Sequence, residues 1–135
     1  MEEAIHKELS GRIIGAAMAV LNELKPGLDE KLYERALVIE LRHRGHSVTS
    51  QRGFSVLYRS ETIGVLKPDL IVDGAIIVDP KVVTAFNDAH IAQMIGYLSI
   101  TEMQLALLLN FKSATLEWRR VVRQRRDSSA PDFHA

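Results

Sequence analysis

The chain contains no cysteine. That absence excludes a disulfide scaffold, a thiolate zinc site and a cysteine nucleophile, and it agrees with a reducing compartment. There is no run of about 18 apolar residues, so a membrane-spanning helix is not expected. The N-terminus opens Met1-Glu2-Glu3 without the basic-then-apolar pattern of a signal peptide, which makes cytoplasmic residence the default expectation. Excess charge is also missing: 17 Lys and Arg balance 17 Asp and Glu. A binder of nucleic acid by bulk charge is usually basic, so a polyanion partner here needs a local patch or a bound cation. The five histidines show no HExxH or paired spacing, which argues against catalytic zinc. No nucleophile elbow and no phosphate-cradling glycine loop is present.

What remains is an ordinary globular composition. Hydrophobic residues make up 47% and charged residues 25% of 135 positions, enough to bury one core. From Glu2 to Leu24 apolar residues recur at helical steps through Ile5, Leu9, Ile13, Ala16 and Val20. Lys25-Pro26-Gly27 stops that helix. A second helix is expected from Asp29, its N-cap, to Arg44, with Tyr33, Leu37 and Leu41 inward. Ser47–Arg52 and Phe54–Arg59 read as short strands with turns at Arg52-Gly53 and Arg59-Ser60. Residues 88–101 return to helical period with Ile91, Ile95 and Leu98 on one face, and Gln104–Phe111 and Thr115–Val122 are two further strands. Phe111 and Trp118 read as core. The expected order is ααβ-strands-αββ, as one domain over 1–122 with a polar tail over 123–135.

The segment between Asp69 and Asp79 is a hairpin with Asp73-Gly74 at its tip. Its strands are apolar on both faces, which implies a central sheet covered on each side. An acid at each end of such a hairpin is costly unless the charge is met. Strand-end acids paired with arginines are one reading; a shared divalent cation is the other. Because strand side chains alternate, a two-residue loop throws the acids to opposite faces. A three-residue loop, Val72-Asp73-Gly74 with Gly74 left-handed, places them diagonally on one face with Lys81 following at i+2, and that geometry is predicted. His90, Gln93 and Tyr97 form a polar stripe on the later helix.

Pro68-Asp69 followed by Asp79-Pro80-Lys81 looks like the PD-(D/E)XK signature of metal-dependent nucleases. The surrounding chain resembles the GxxExxY family of that superfamily, in Gly27-Leu-Asp-Glu30-Lys-Leu-Tyr33, Ile13-Ile14-Gly15-Ala16-Ala17, Glu40–Gly45, Gln93-Met-Ile-Gly-Tyr97 and Leu107-Leu108-Leu109-Asn110-Phe111. The resemblance implies a restriction-endonuclease-like α/β domain, a central mixed sheet flanked by helices. It implies Mg2+ or Mn2+ on Asp69 and Asp79, with Glu30 as a further ligand, and phosphodiester hydrolysis in DNA or RNA. Lys81 then orients water or stabilises phosphate charge, and Gln93 and Tyr97 line the substrate side. Tyr33 reads as packing. The family pattern has Glu and an aliphatic residue before the lysine; this chain has Asp79 and Pro80, and a proline is unusual in a central strand. Either the strand ends there or Lys81 is displaced. The rival reading is therefore a catalytically degraded module on the same fold, binding nucleic acid or a protein partner. Arg119, Arg120, Arg123, Arg125 and Arg126 are the densest basic run, read as either a backbone contact or a soluble chain end. A small nuclease domain can dimerise to span a duplex, but no interface signal in the sequence decides it.

Overall fold

The structure, a computed structural model, describes residues 5–123. Its elements run α1 (Lys7–Leu24), α2 (Glu30–His43), β1 (Val48–Ser50), β2 (Phe54–Tyr58), β3 (Glu61–Leu66), β4 (Leu70–Val72), β5 (Ile76–Lys81), α3 (Asp88–Thr101), β6 (Leu105–Asn110) and β7 (Glu117–Val122). Five strands form one mixed sheet in the order β1-β4-β5-β6-β7, while β2 and β3 pair only with each other. The β5–β6 pair is parallel, joined over one face by α3; the other pairs are antiparallel. Among the described residues no helix is long and apolar enough to cross a membrane.

The doubly apolar strands are covered on both sides, as their composition requires. Leu70, Val72, Ile76, Val78, Leu105, Leu107 and Leu109 pack against α1 and α2 through Ile13, Ala17, Leu37 and Leu41. Ile71, Ile77, Ala106, Leu108 and Val121 pack against Met94 and Leu98 of α3. α1 stops where Lys25 turns left-handed (φ 67°) and its N–H returns to the Leu21 carbonyl at 2.8 Å. Gly27, at φ 112°, allows the tight link into α2. Tyr33 closes that link: its hydroxyl donates to the Lys25 carbonyl and accepts from the Leu28 N–H, while its ring stacks on Phe111 at 4.9 Å. Tyr33 and Phe111 are core residues, as expected.

Several expectations change. The inner stripe of α3 is Ile91, Met94 and Leu98, whereas Ile95 is 47% exposed. Steps of three and of four both satisfy a helical period, and only the sheet beneath selects between them. Trp118 lies opposite Leu109 on the edge strand β7 and is 46% exposed. The strand expected over Ser47–Arg52 is cut to Val48–Ser50, since Gln51 turns left-handed (φ 57°) to lead into the β2–β3 hairpin. Within the basic run, Arg120 bonds the Ser10 hydroxyl of α1 and the Ile5 carbonyl just before it, and Arg123 donates to the Glu102 carbonyl. Arg125, Arg126 and nearly all of the expected 123–135 tail lie outside the described residues, as do positions 2–4 of the helix expected from Glu2; α1 begins only at Lys7, after His6 turns left-handed (φ 50°).

The β4–β5 loop has the predicted odd length but sits one residue further on. It is Asp73-Gly74-Ala75, with Asp73 (φ 54°) and Gly74 (φ 64°) both left-handed. Asp73 holds the turn by accepting from the Ser47 N–H at 2.8 Å and bonding His46 at 2.8 Å. Leu70 therefore opposes Val78, and the next position outward sets Asp69 directly across from Asp79 rather than diagonally.

Pro80 neither ends the strand nor displaces Lys81. The Lys81 carbonyl accepts from the Phe111 N–H toward β6, so backbone groups alternate and the nitrogen of Pro80 faces the β4 side. β4 has already ended there, and continuing the register brings Pro68 opposite. No ladder bond is lost.

Beyond Lys81 the chain is clamped by Asn110, which is 2% exposed. Its oxygen accepts from the Val83 and Lys112 N–H groups at 3.1 Å, and its amide donates to the Val83 carbonyl at 2.8 Å and to Glu117 at 3.0 Å. Asn110→Ala strands these groups and is expected to cost about 2–4 kcal/mol, read as a lower urea midpoint with unchanged slope.

Candidate active site

Asp79 follows Ile77 by two residues and Lys81 follows Asp79 by two, so alternation turns all three to the face covered by α3. The register brings Asp69 to the same face, directly across from Asp79. Asp79 is 5% exposed. The Lys81 Nζ lies 3.6 Å from its Oδ2. Burial pushes the Asp79 carboxyl up to about 7; Lys81 opposes this, while the charges of Asp69 and Glu30 add to it.

Tyr97 approaches from the half-buried flank of α3. Its hydroxyl accepts from the Gln93 amide at 3.2 Å, and it is held above the ordinary tyrosine range by burial and by the charges of Asp79 and Asp69. The two α3 candidates thus meet each other beside the acids. His90 does not join them. It is the N3 residue of a capping box, accepting from the Asn87 N–H while Asn87 caps its own N–H.

Glu30, the first residue of α2, reaches the other end of the site. Its Oε1 accepts from the Val82 N–H at 3.2 Å, which ties the helix start to the residue after Lys81. Its charge is felt at Asp79, but its oxygen has a backbone partner already.

Two residues escaped sequence reasoning. Glu34 is 7% exposed, 3.4 Å from Lys31 Nζ, and pushed up by burial and then by the charge of Asp69. A signal existed: Glu34 lies one turn past Glu30, beside the inward Tyr33. Gln51 binds Asp69 twice, through its backbone N–H to the Asp69 carbonyl (3.2 Å) and through its amide to Oδ1 (3.4 Å). Nothing local in the sequence announces that contact, because the partners are joined only by the folding back of β2 and β3.

Among the described residues no three acid or histidine side chains converge as a ready-made metal cage. Two opposed carboxylates, that of Asp79 buried, beside an ammonium nonetheless suit a hard divalent cation, which takes one or two carboxylates and completes its shell with water or phosphate oxygens. The donor set offers oxygen alone, so it fits Mg2+ or Mn2+ better than a soft metal.

A covered mixed sheet with these acids at the end of its central hairpin is the architecture of a restriction-endonuclease-like fold. A family model described as the PD-(D/E)XK nuclease superfamily matches residues 7–121, and the chain belongs to that superfamily. Its members generally use divalent metal ions. Comparison with curated proteins and with solved structures gives no match.

The displaced titration of Asp79 has a consequence for stability. Between its ordinary value of 3.8 and about 7 the native state holds a proton that the unfolded chain has lost. Metal-free stability therefore falls as pH rises through that window. Asp79→Asn lacks this titration, so its melting temperature is expected to exceed that of the wild type by a margin that grows from pH 5 to pH 8. An equal margin at both pH values contradicts the assignment.

Proposed function

We propose that this protein is a Mg2+- or Mn2+-dependent nuclease that hydrolyses phosphodiester bonds in DNA or RNA, and that within the superfamily it is of the GxxExxY kind. The observation that carries the reading is the buried Asp79 carboxyl group with Asp69 directly across from it and Lys81 alongside. Such a pair is a liability in an apolar sheet unless the carboxylates are there to be used. Asp69 and Asp79 would hold the cation, with Glu30 and Glu34 contributing negative charge from α2. When bound, the cation supplies charge stabilisation at the phosphate and a lowered pKa for its water.

The chain's own groups supply the rest. Lys81 donates hydrogen bonds from Nζ to the attacking water or to a non-bridging phosphate oxygen as charge builds there. Asp79 gives up its proton on loading, which leaves a full carboxylate at the ligand position. The Tyr97 hydroxyl and Gln93 amide offer donors on the α3 wall, where the phosphate or an adjacent sugar would lie. Gln51 keeps Asp69 in place. The position of Pro80 favours an intact site over a degraded one, because Lys81 remains beside Asp79 and the strand ladder loses nothing.

With Mg2+ or Mn2+, the purified chain is expected to cut at least one member of a panel of single-stranded, duplex, branched and RNA substrates, and EDTA is expected to stop it. Asp69→Ala should lower the rate by at least about 100-fold, and Lys81→Met should lower kcat by about 100-fold with little change in KM. Calorimetry should show manganese affinity rising from pH 6 to pH 8, because binding competes with the Asp79 proton. A preparation that binds no divalent ion and cuts nothing in the panel would sink the proposal.

A further inference from the structure

A neutral chain that acts on a polyanion must hold it somewhere. Many helix cations are already engaged: Arg12 with Glu8, Arg44 with Glu40, Lys31 with Glu34, and Arg42 with the Val48 carbonyl. The segment 51–68 differs. It carries Arg52, Arg59 and Lys67 against the single acid Glu61. Among the described residues none of these three cations forms an ion pair, and Arg52 instead lies over the Phe54 ring at 4.8 Å.

This segment is the β2–β3 ribbon. It turns at Arg59-Ser60, both left-handed at φ 48° and 67°, and stays outside the main sheet. Phe54 roots it in the α3-side core, the same face that carries Asp69, Asp79, Lys81 and Tyr97. Its base joins the site directly: Gln51 bonds Asp69 at one end, and Lys67 precedes Asp69 by two residues at the other. At Gly53 any Cβ would meet Val65 Cγ1 at 3.0 Å, so the ribbon folds tightly at its root. Further out, Leu57, Tyr58, Ile63 and Val65 are each more than half exposed. A lone two-stranded ribbon with bare apolar side chains is marginal by itself and marks a contact surface.

We infer that the β2–β3 ribbon is the arm that holds duplex DNA against the acidic site. A two-stranded ribbon is of a width that the major groove admits. Arg52, Arg59 and Lys67 neutralise phosphates, and Tyr58, Leu57 and Ile63 pack on sugars and base edges. The inference rests on the nuclease reading and adds to it the element that grips the substrate and the form of that substrate.

The test is the anisotropy of a short fluorescein-labelled DNA duplex, titrated in EDTA at several salt concentrations. R52Q/R59Q/K67Q is expected to bind about 10-fold or more weakly near 0.15 M salt, with a log–log salt slope shallower by about 1–3. It should keep the wild-type melting temperature and manganese binding. K7Q/R12Q/K25Q, on α1 and its C-terminal cap across the sheet, should keep the wild-type affinity and slope. If the ribbon variant matches the wild type in both, the inference is overturned while the nuclease reading stands. It is also overturned if sedimentation shows a wild-type dimer that L57S/I63S dissociates without weakening DNA binding, since the ribbon then serves a second copy. A wild type that neither binds nor cuts any nucleic acid fails at the earlier step, taking the nuclease reading with it.

Discussion

The site depends on a carboxyl group held almost entirely out of water. Asp79 lies in the middle strand region of a sheet covered on both faces, next to a second acid and one ammonium. Desolvation disfavours its charge, Asp69 disfavours it further, and Lys81 only partly offsets the two. An apolar residue in its place would pack without that cost. The surrounding structure is arranged to keep the strained pair aligned: Asp73 fixes the hairpin turn, Gln51 fixes Asp69, Glu30 ties α2 to Val82, and Asn110 clamps the exit of β5. Each acts on backbone or on a neighbouring carboxylate, not on an open cavity. The site is thus built from a few directional bonds around a stable apolar sheet.

The same arrangement explains how proline is accommodated at the heart of the motif. A central strand normally needs every N–H, but backbone direction alternates, and Pro80 sits where the neighbouring strand has stopped. Pro68 lies across from it, so neither residue withholds a bond that the other needs. The constraint that looked most damaging in one dimension therefore vanishes in two. Lys81, next in line, keeps its place on the α3 face.

Much was legible because it followed from periodicity and composition. The two-faced apolar runs required a covered sheet, the helical steps in 7–24 required an amphipathic helix, and the odd-length loop placed both acids on one face. The family resemblance added the metal and nuclease expectations, and the superfamily match over 7–121 agrees with it at the coarser level. What was not legible involved a choice between equally periodic alternatives or a contact between distant segments. Ile95 and Met94 are both at helical spacing from Leu98, and only one faces the sheet. Trp118 reads as core by type, but it stands on an edge strand. Gln51 and Glu34 reach the site by long-range folding and by burial.

Sequence alone determined the three helices and most of the strands, though not β3 (Glu61–Leu66), and also that the central hairpin is buried on both faces and that its two acids share one of them. Those features are local, because side-chain periods of 2 and 3.6 are properties of a single segment. Tertiary structure decided the rest: the direct opposition of Asp69 and Asp79, the harmless position of Pro80, the partners of Gln51 and Glu30, and the projection of the β2–β3 ribbon beside the acids. These depend on register and on which surfaces meet. No one segment carries that information, since it arises only when strands far apart in the chain are laid side by side.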